Sequence, residues 1–84
     1  MVVKSCDIAA DQVLDARGLS CPMPLLKAKL ALNAMQAGQI LHVSATDAGS
    51  VRDFQRFAEL SGHALLASET AGTEFHYWLR KTEC

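Results

Sequence analysis

The chain has 84 residues, half of them hydrophobic and a fifth charged. That is enough for one small domain with an ordinary globular core, and too little for two lobes around an enclosed cavity. A net charge of -1 provides no bulk basic field for nucleic acid. No apolar run is long enough to cross a bilayer, and the opening MVVKSCDIAADQ lacks the apolar stretch and cleavage pattern of a signal peptide. Cytoplasmic residence is the expectation.

Residues 1–11 read as a flexible tail, followed by a single domain over 12–82. Gln12 to Ala16 (QVLDA) is a short strand that ends at Arg17-Gly18. Pro22 to Ala37 is a helix. Leu25, Ala28, Ala31, Leu32 and Met35 share one face and Gly38 closes it. Gln39 to Thr46 alternates Leu41, Val43 and Ala45 with His42, Ser44 and Thr46, the pattern of a half-buried strand. A second helix runs from Val51 to Leu60. Ser50 and Asp53 form a capping-box-like start, and Gly62 ends the helix. His63 to Glu69 is a third strand, Ala71-Gly72 a turn, and Thr73 to Lys81 a fourth strand with Phe75, Tyr77 and Leu79 alternating.

The order β-α-β-α-β-β predicts an α/β fold: a two-layer α/β sandwich with two helices on one face of a four-stranded mixed sheet. The other face should stay partly wet, with one of Tyr77 and Trp78 packed and the other partly exposed.

The cysteine count is odd and no C-x-x-C occurs, so a disulfide framework, a thioredoxin-type dithiol and a zinc knuckle all lack their signatures. Cys6 reads as inert in the tail, and Cys84 as an exposed thiol at the chain end. Cys21 is different. It falls between the first strand and the first helix, at the expected N-cap, with Pro22 at N1 and Pro24 at N3. A thiol there feels the positive end of the helix macrodipole, which favours the thiolate. The prolines remove two N–H donors, so the expected activation is moderate, and the rigid turn points the sulfur outward.

Arg17, across a glycine turn, either adds positive charge to that thiol or only fills the turn. Asp47 lies beyond the second strand, on the sheet edge where Cys21 lies beyond the first, so Asp47 and the start of helix two should flank the cysteine. Its carboxylate would raise the thiol pKa, bond a sulfur adduct, or cap helix two, the last being favoured. Arg52 and Arg56, with Lys27 or Lys29 nearby, are candidate partner-binding residues: a small basic strip for an acidic surface or tRNA phosphate, unless it is simply a solvated face with Glu59. His42, His63 and His76 are too scattered in sequence for a metal site, and neither metal nor cofactor is expected. A lone exposed thiol without a resolving partner suits a persulfide carrier better than a disulfide exchanger.

Leu14 to Leu25 (LDARGLSCPMPL) resembles the opening signature of the TusA/SirA-like sulfur-carrier family. The likeness runs from about Val13 to Lys81 and includes Ala45-Thr46-Asp47, Arg52-Asp53-Phe54 and Tyr77-Trp78-Leu79-Arg80-Lys81. The resemblance implies a cytoplasmic sulfurtransferase whose Cys21 accepts sulfane sulfur as a persulfide. A cysteine desulfurase or a rhodanese would be the donor, and a DsrE-like or other protein the acceptor. The sulfur would serve tRNA 2-thiouridine synthesis, with tRNA an indirect partner at most, or sulfur oxidation, cofactor supply or selenium metabolism. A monomer is the natural state for a carrier with several partners. The alternative is a non-catalytic RNA- or protein-binding module in which Cys21 is redox-active or structural.

Overall fold

A computed structural model describes residues 9–82. Cys6, Cys84 and residues 1–8 of the expected tail lie outside the described residues. Asp11, inside the expected tail, is already tied to the sheet: its N–H donates to the Ile40 carbonyl and its carboxylate accepts from the Ile40 N–H, each at 2.8 Å.

The elements follow in the expected order: β1 (Gln12–Ala16), α1 (Met23–Ala34), β2 (Ile40–Ala45), α2 (Ser50–Ser61), β3 (Ala64–Ala71) and β4 (Glu74–Arg80). They form one four-stranded sheet in the order β1-β2-β4-β3. β1 and β2 are parallel, and β4 is antiparallel to both its neighbours. α1 packs on β1 and β2, α2 on β3 and β4, and the two helices touch each other. Both therefore cover one face, as the alternation requires.

Between the layers sit Ala16, Leu41, Val43, Ala45, Tyr77 and Leu79 from the strands and Ala28, Leu32, Met35 and Phe54 from the helical side. The helix residues recur every three or four positions and the strand residues every two, which is why each element has one apolar face. Phe54 stacks on Tyr77 at a ring separation of 4.4 Å. The Tyr77 hydroxyl shares a 2.7 Å hydrogen bond with Ser50 Oγ.

Three local expectations are corrected. First, α1 stops at Ala34 rather than Ala37. Met35 turns extended with its side chain buried in the core. The Lys81 ammonium reaches from the end of β4 to donate to the Met35 and Asn33 carbonyls. A distant cation thus caps the helix end, and Gly38 serves the following turn instead, with φ +92°. Second, the Ser50/Asp53 capping box does not form: Gly49 is the N-cap and no side chain bonds there. Ser50 is diverted into the core by Tyr77. Gly62 does end α2 as expected, in the left-handed conformation at φ +83°. Third, β3 runs on to Ala71, and a register shift between Leu65 and Ala67 interrupts it.

The open sheet face is partly polar, with His42, Ser44 and His76 half-buried. Two of the three histidines are neighbours after all: His42 Nε2 and His76 Nδ1 lie 3.0 Å apart. Antiparallel register places His42 opposite Trp78 and Ser44 opposite His76, so the pair is a cross-strand diagonal. Burial, then the neighbouring His76, pushes the His42 pKa below the ordinary histidine value. Trp78 stacks on the His42 ring at 4.5 Å and is buried, as is Tyr77. The expected partial exposure of one of them is not found.

Tyr77→Phe is expected to cost about 1–2 kcal/mol, because it strands the buried Ser50 hydroxyl without a partner. Adding Ser50→Ala should recover most of that loss. Denaturant unfolding of the two single variants and the double variant checks the coupling. Strictly additive losses would mean that the hydroxyl pair does not act as a unit.

Candidate functional site

Parallel pairing of β1 with β2 brings two loops to the same sheet edge: residues 17–22 after β1 and residues 46–49 after β2. The loops are stitched together. The Gly18 N–H donates to Thr46 Oγ1 at 2.9 Å, and the Cys21 N–H donates to Asp47 Oδ2 at 3.0 Å. Asp47 therefore neither caps α2 nor touches the sulfur; its carboxylate holds the backbone of the cysteine. Gly18 turns the chain at φ +82°, which a side chain would resist.

Cys21 is exposed, and its thiol donates to Asp53 Oδ2 at 2.6 Å. Asp53 lies in the first turn of α2, so the start of helix two does flank the cysteine. The residue in contact, however, is the one assigned above to a capping box. Gly49 belongs to the site for a steric reason. A Cβ there would stand 3.0 Å from Asp47 Oδ2, 3.5 Å from the Cys21 Cβ and 3.8 Å from the sulfur. Any larger residue would press on the carboxylate that positions Cys21.

The helix start differs from the expectation in register and in effect. Pro22 is the N-cap, Met23 opens the helix and Pro24 lies in its first turn, buried. The Cys21–Pro22 peptide bond is cis. Cys21 is thus one residue outside the cap. The Met23 N–H is engaged by the Ser20 carbonyl at 2.8 Å, not aimed at the sulfur.

The moderately activated thiolate expected from the macrodipole is overturned. The hydrogen bond to Asp53 raises the Cys21 pKa above the ordinary thiol value; desolvation and the charges of Asp53 and Asp47 push the same way. The one opposing influence is Arg52. The resting thiol is therefore held in its protonated form.

Arg17 does not serve the sulfur. Its guanidinium grips Asp15 through Nε at 2.9 Å and Nη2 at 3.1 Å, and reaches Glu74 at 3.4 Å. That grip holds the Asp15 carboxyl down to about 2, with the side-chain bond to Arg17 as its largest cause. The residue fills the turn and ties β1 to β4. Arg52 is the arginine whose charge reaches Cys21.

Arg56 lines a groove between the two helices together with Leu25, Lys29, Asp53, Phe57, Leu60 and Ser61. Lys29, not Lys27, is the lysine on this side, with its ammonium 5.6 Å above the Phe57 ring. Lys27 is exposed on α1 and does not line the groove. Among the described residues no three His, Cys, Asp or Glu side chains cluster in a way that would hold a metal ion. No helix among them is long and apolar enough to cross a membrane. The rings of Tyr77 and Trp78 are buried and offer no stacking face to a base.

Of the residues sequence reasoning missed, Asp53 carried a signal. It sits one turn into the helix that follows Asp47, on the edge shared with Cys21. Gly49 carried only that of a small residue in a tight loop.

Comparison with known proteins finds relatives of this chain. The family described as "Sulfurtransferase TusA" matches residues 12–81. The chain is 54% identical over 72 residues to the sulfur carrier protein TusA of Allochromatium vinosum, covering 86% of this chain and 95% of that protein. It is 43% identical to the putative sulfur carrier protein YrkI of Bacillus subtilis, covering 86% and 96% of the two chains. Among solved structures, a SirA-like protein from Desulfitobacterium hafniense superimposes with a TM-score of 0.72 at 27% identity, over 86% of this chain and 99% of that one.

Asp53→Asn should release the thiol. With the carboxylate charge gone, the Cys21 pKa falls, and alkylation by iodoacetamide at neutral pH should speed up by about three- to tenfold. The pH–rate profile of Cys21 alkylation, followed by peptide mass mapping, should move to lower pH. A profile that stays in place would show that Asp53 does not set the thiol's protonation.

Proposed function

The chain belongs to the TusA family of sulfur carrier proteins, and we propose that Cys21 is the residue that carries the sulfur, as a persulfide. The observation that supports this most directly is the exposed thiol at the strand–helix edge, hydrogen-bonded to Asp53 at 2.6 Å. No second cysteine among the described residues could resolve it as a disulfide.

Sulfur carriage implies a donor protein and an acceptor protein. The chemistry is thiol–persulfide exchange at one sulfur. The Cys21 sulfur attacks the terminal sulfur of a donor persulfide; a new S–S bond forms on Cys21 and the donor's S–S bond breaks. The departing donor thiolate takes up the proton that Cys21 gives away. Sulfur moves in the sulfane state, with no net oxidation. Delivery is the same exchange in reverse sense: an acceptor thiolate attacks the outer sulfur of Cys21–S–SH, and the Cys21 thiolate leaves.

Asp53 is positioned to take the Cys21 proton and pass it to the departing donor thiolate at the first step, and to relay the acceptor thiol's proton to the departing Cys21 thiolate at the last. Its charge, with that of Asp47, disfavours an anion on the sulfur. A free carrier is thereby kept from reacting at random, and transfer follows the docking of a donor or an acceptor.

We assign the donor role to a cysteine desulfurase or a rhodanese and the acceptor role to a DsrE-like or other thiol protein. The setting is a monomeric carrier in the cytoplasm, encoded as a single domain over 12–82. Arg52, whose charge reaches Cys21, and Arg56 are exposed cations available for partner contact, as is Lys27 farther along α1. The final destination, whether tRNA thiolation, sulfur oxidation or a cofactor, is set by the acceptor rather than by Cys21.

Intact-mass spectrometry under non-reducing conditions tests the assignment. Incubation with a cysteine desulfurase and cysteine, or with a rhodanese and thiosulfate, should add the mass of one sulfur atom at Cys21, removable by reductant. Cys21→Ser should abolish the gain while keeping the fold; Cys6→Ser and Cys84→Ser should retain it. Undiminished loading of the Cys21→Ser variant would remove the proposal.

A further inference from the structure

The groove between α1 and α2 has the character of a small-ligand site, and it reaches Asp53, the residue to which the Cys21 thiol is bonded. Its volume is about 390 Å³, at the small end of the range for ligand pockets. Leu25, Phe57 and Leu60 supply its apolar surface, and Lys29 and Arg56 supply positive charge. Among the described residues neither cation is engaged in a salt bridge with a carboxylate. The one acidic residue in the lining is Asp53, and its Oδ2 is occupied by the Cys21 thiol at 2.6 Å. Lys29 is held over the Phe57 ring, which fixes its ammonium beside the groove rather than leaving it free in solvent. The lining thus has a polarity along its length: cations and apolar surface together, then Asp53, the partner of the thiol.

We propose that this groove binds a low-molecular-weight thiol persulfide bearing carboxylates, of the size of a short peptide thiol, and that Cys21 takes sulfur from it without a protein donor. The proposal rests on Cys21 as the persulfide site and adds a class of substrate to it. The carboxylates pair with Lys29 and Arg56, a charge-assisted contact that water alone does not replace. The aliphatic part of the ligand lies on Leu25 and Phe57, and its sulfur end meets Cys21. The exchange is balanced as Cys21–SH + R–S–SH giving Cys21–S–SH + R–SH. The S–S bond of the small persulfide breaks, the new one forms on Cys21, and the Cys21 proton passes by way of Asp53 to the departing R–S⁻. No oxidant or reductant is consumed.

The probe is glutathione persulfide, with inorganic polysulfide as a sulfane donor that has no carboxylates. The initial rate of mass gain at Cys21 is measured against donor concentration, and the same preparation is also loaded by a cysteine desulfurase with cysteine. The expected result is saturation with glutathione persulfide and a linear dependence with polysulfide. Lys29→Gln/Arg56→Gln should lower the second-order rate with glutathione persulfide by about tenfold or more, and the rate with polysulfide, itself an anion, by a much smaller factor. S-methylglutathione, which cannot react, should shift the amide resonances of Leu25, Lys29 and Phe57 in the wild type and not in the double variant. These resonances also report whether the variant is folded.

A linear dependence on glutathione persulfide, or equal rates for wild type and double variant, would overturn the groove site. Loading by the desulfurase in that same case would leave Cys21 standing as the carrier residue. Failure of every donor to add sulfur at Cys21 would instead remove the carrier residue, and the groove proposal with it.

Discussion

Everything at the site depends on the parallel pairing of β1 with β2. Two adjacent parallel strands must each leave the sheet at the same edge, so the segments that follow them meet there whatever their distance in sequence. In this chain the meeting is made specific by two hydrogen bonds, Gly18 to Thr46 and Cys21 to Asp47. Remove the pairing and the cysteine loses its backbone anchor, its steric neighbour Gly49 and the carboxylate that governs its proton. The core serves the same end. Tyr77 and Phe54 stack beneath α2, and the Tyr77–Ser50 bond holds the helix start from which Asp53 projects.

The electrostatics of the cysteine are the opposite of those of a nucleophile built to attack on its own. An activated thiol sits among cations or helix N–H donors. Here two carboxylates flank the thiol, and a single arginine opposes them. For a carrier that meets several proteins in turn, a protonated resting state limits oxidation and disulfide formation between encounters. A group that neutralises Asp53 on docking would lower the thiol pKa, and an electrophile that finds no site beside the thiol would not.

Much of this was legible in the residues, because the informative signals were local. Alternation in Leu41–Thr46 and in Phe75–Arg80, helical spacing in α1 and the Cys-Pro-x-Pro run after a strand each depend on neighbours a few positions away. What escaped depends on contacts between distant elements. The end of α1 is set by Lys81, on the far side of the domain in sequence. Ser50 is a plausible cap until Tyr77 competes for its hydroxyl. Asp47 and Asp53 are alike as carboxylates near a helix start, and only the path of the loop decides that one takes the backbone of Cys21 and the other its sulfur. Arg17, adjacent in sequence, is committed to Asp15 and fills the turn, the second of its two readings, whereas Arg52, distant in sequence, is the arginine whose charge reaches Cys21.

The far face of the sheet carries the chain's single tryptophan. Trp78 lies flat against the His42 ring, and His42 in turn contacts His76. This arrangement makes the indole an optical reporter that is insulated from the sulfur. Its emission responds to the charge of the imidazole stacked on it, because protonation of His42 sets a cation against the indole π-face. Cys21 sits at the sheet edge where α1 and α2 begin, on the helical side of the sheet. A change in tryptophan fluorescence when a second protein is added would therefore be a signature of contact or rearrangement on the uncovered side of the sheet. Loading and unloading of sulfur would pass without colour, and the two kinds of event can be told apart in one cuvette.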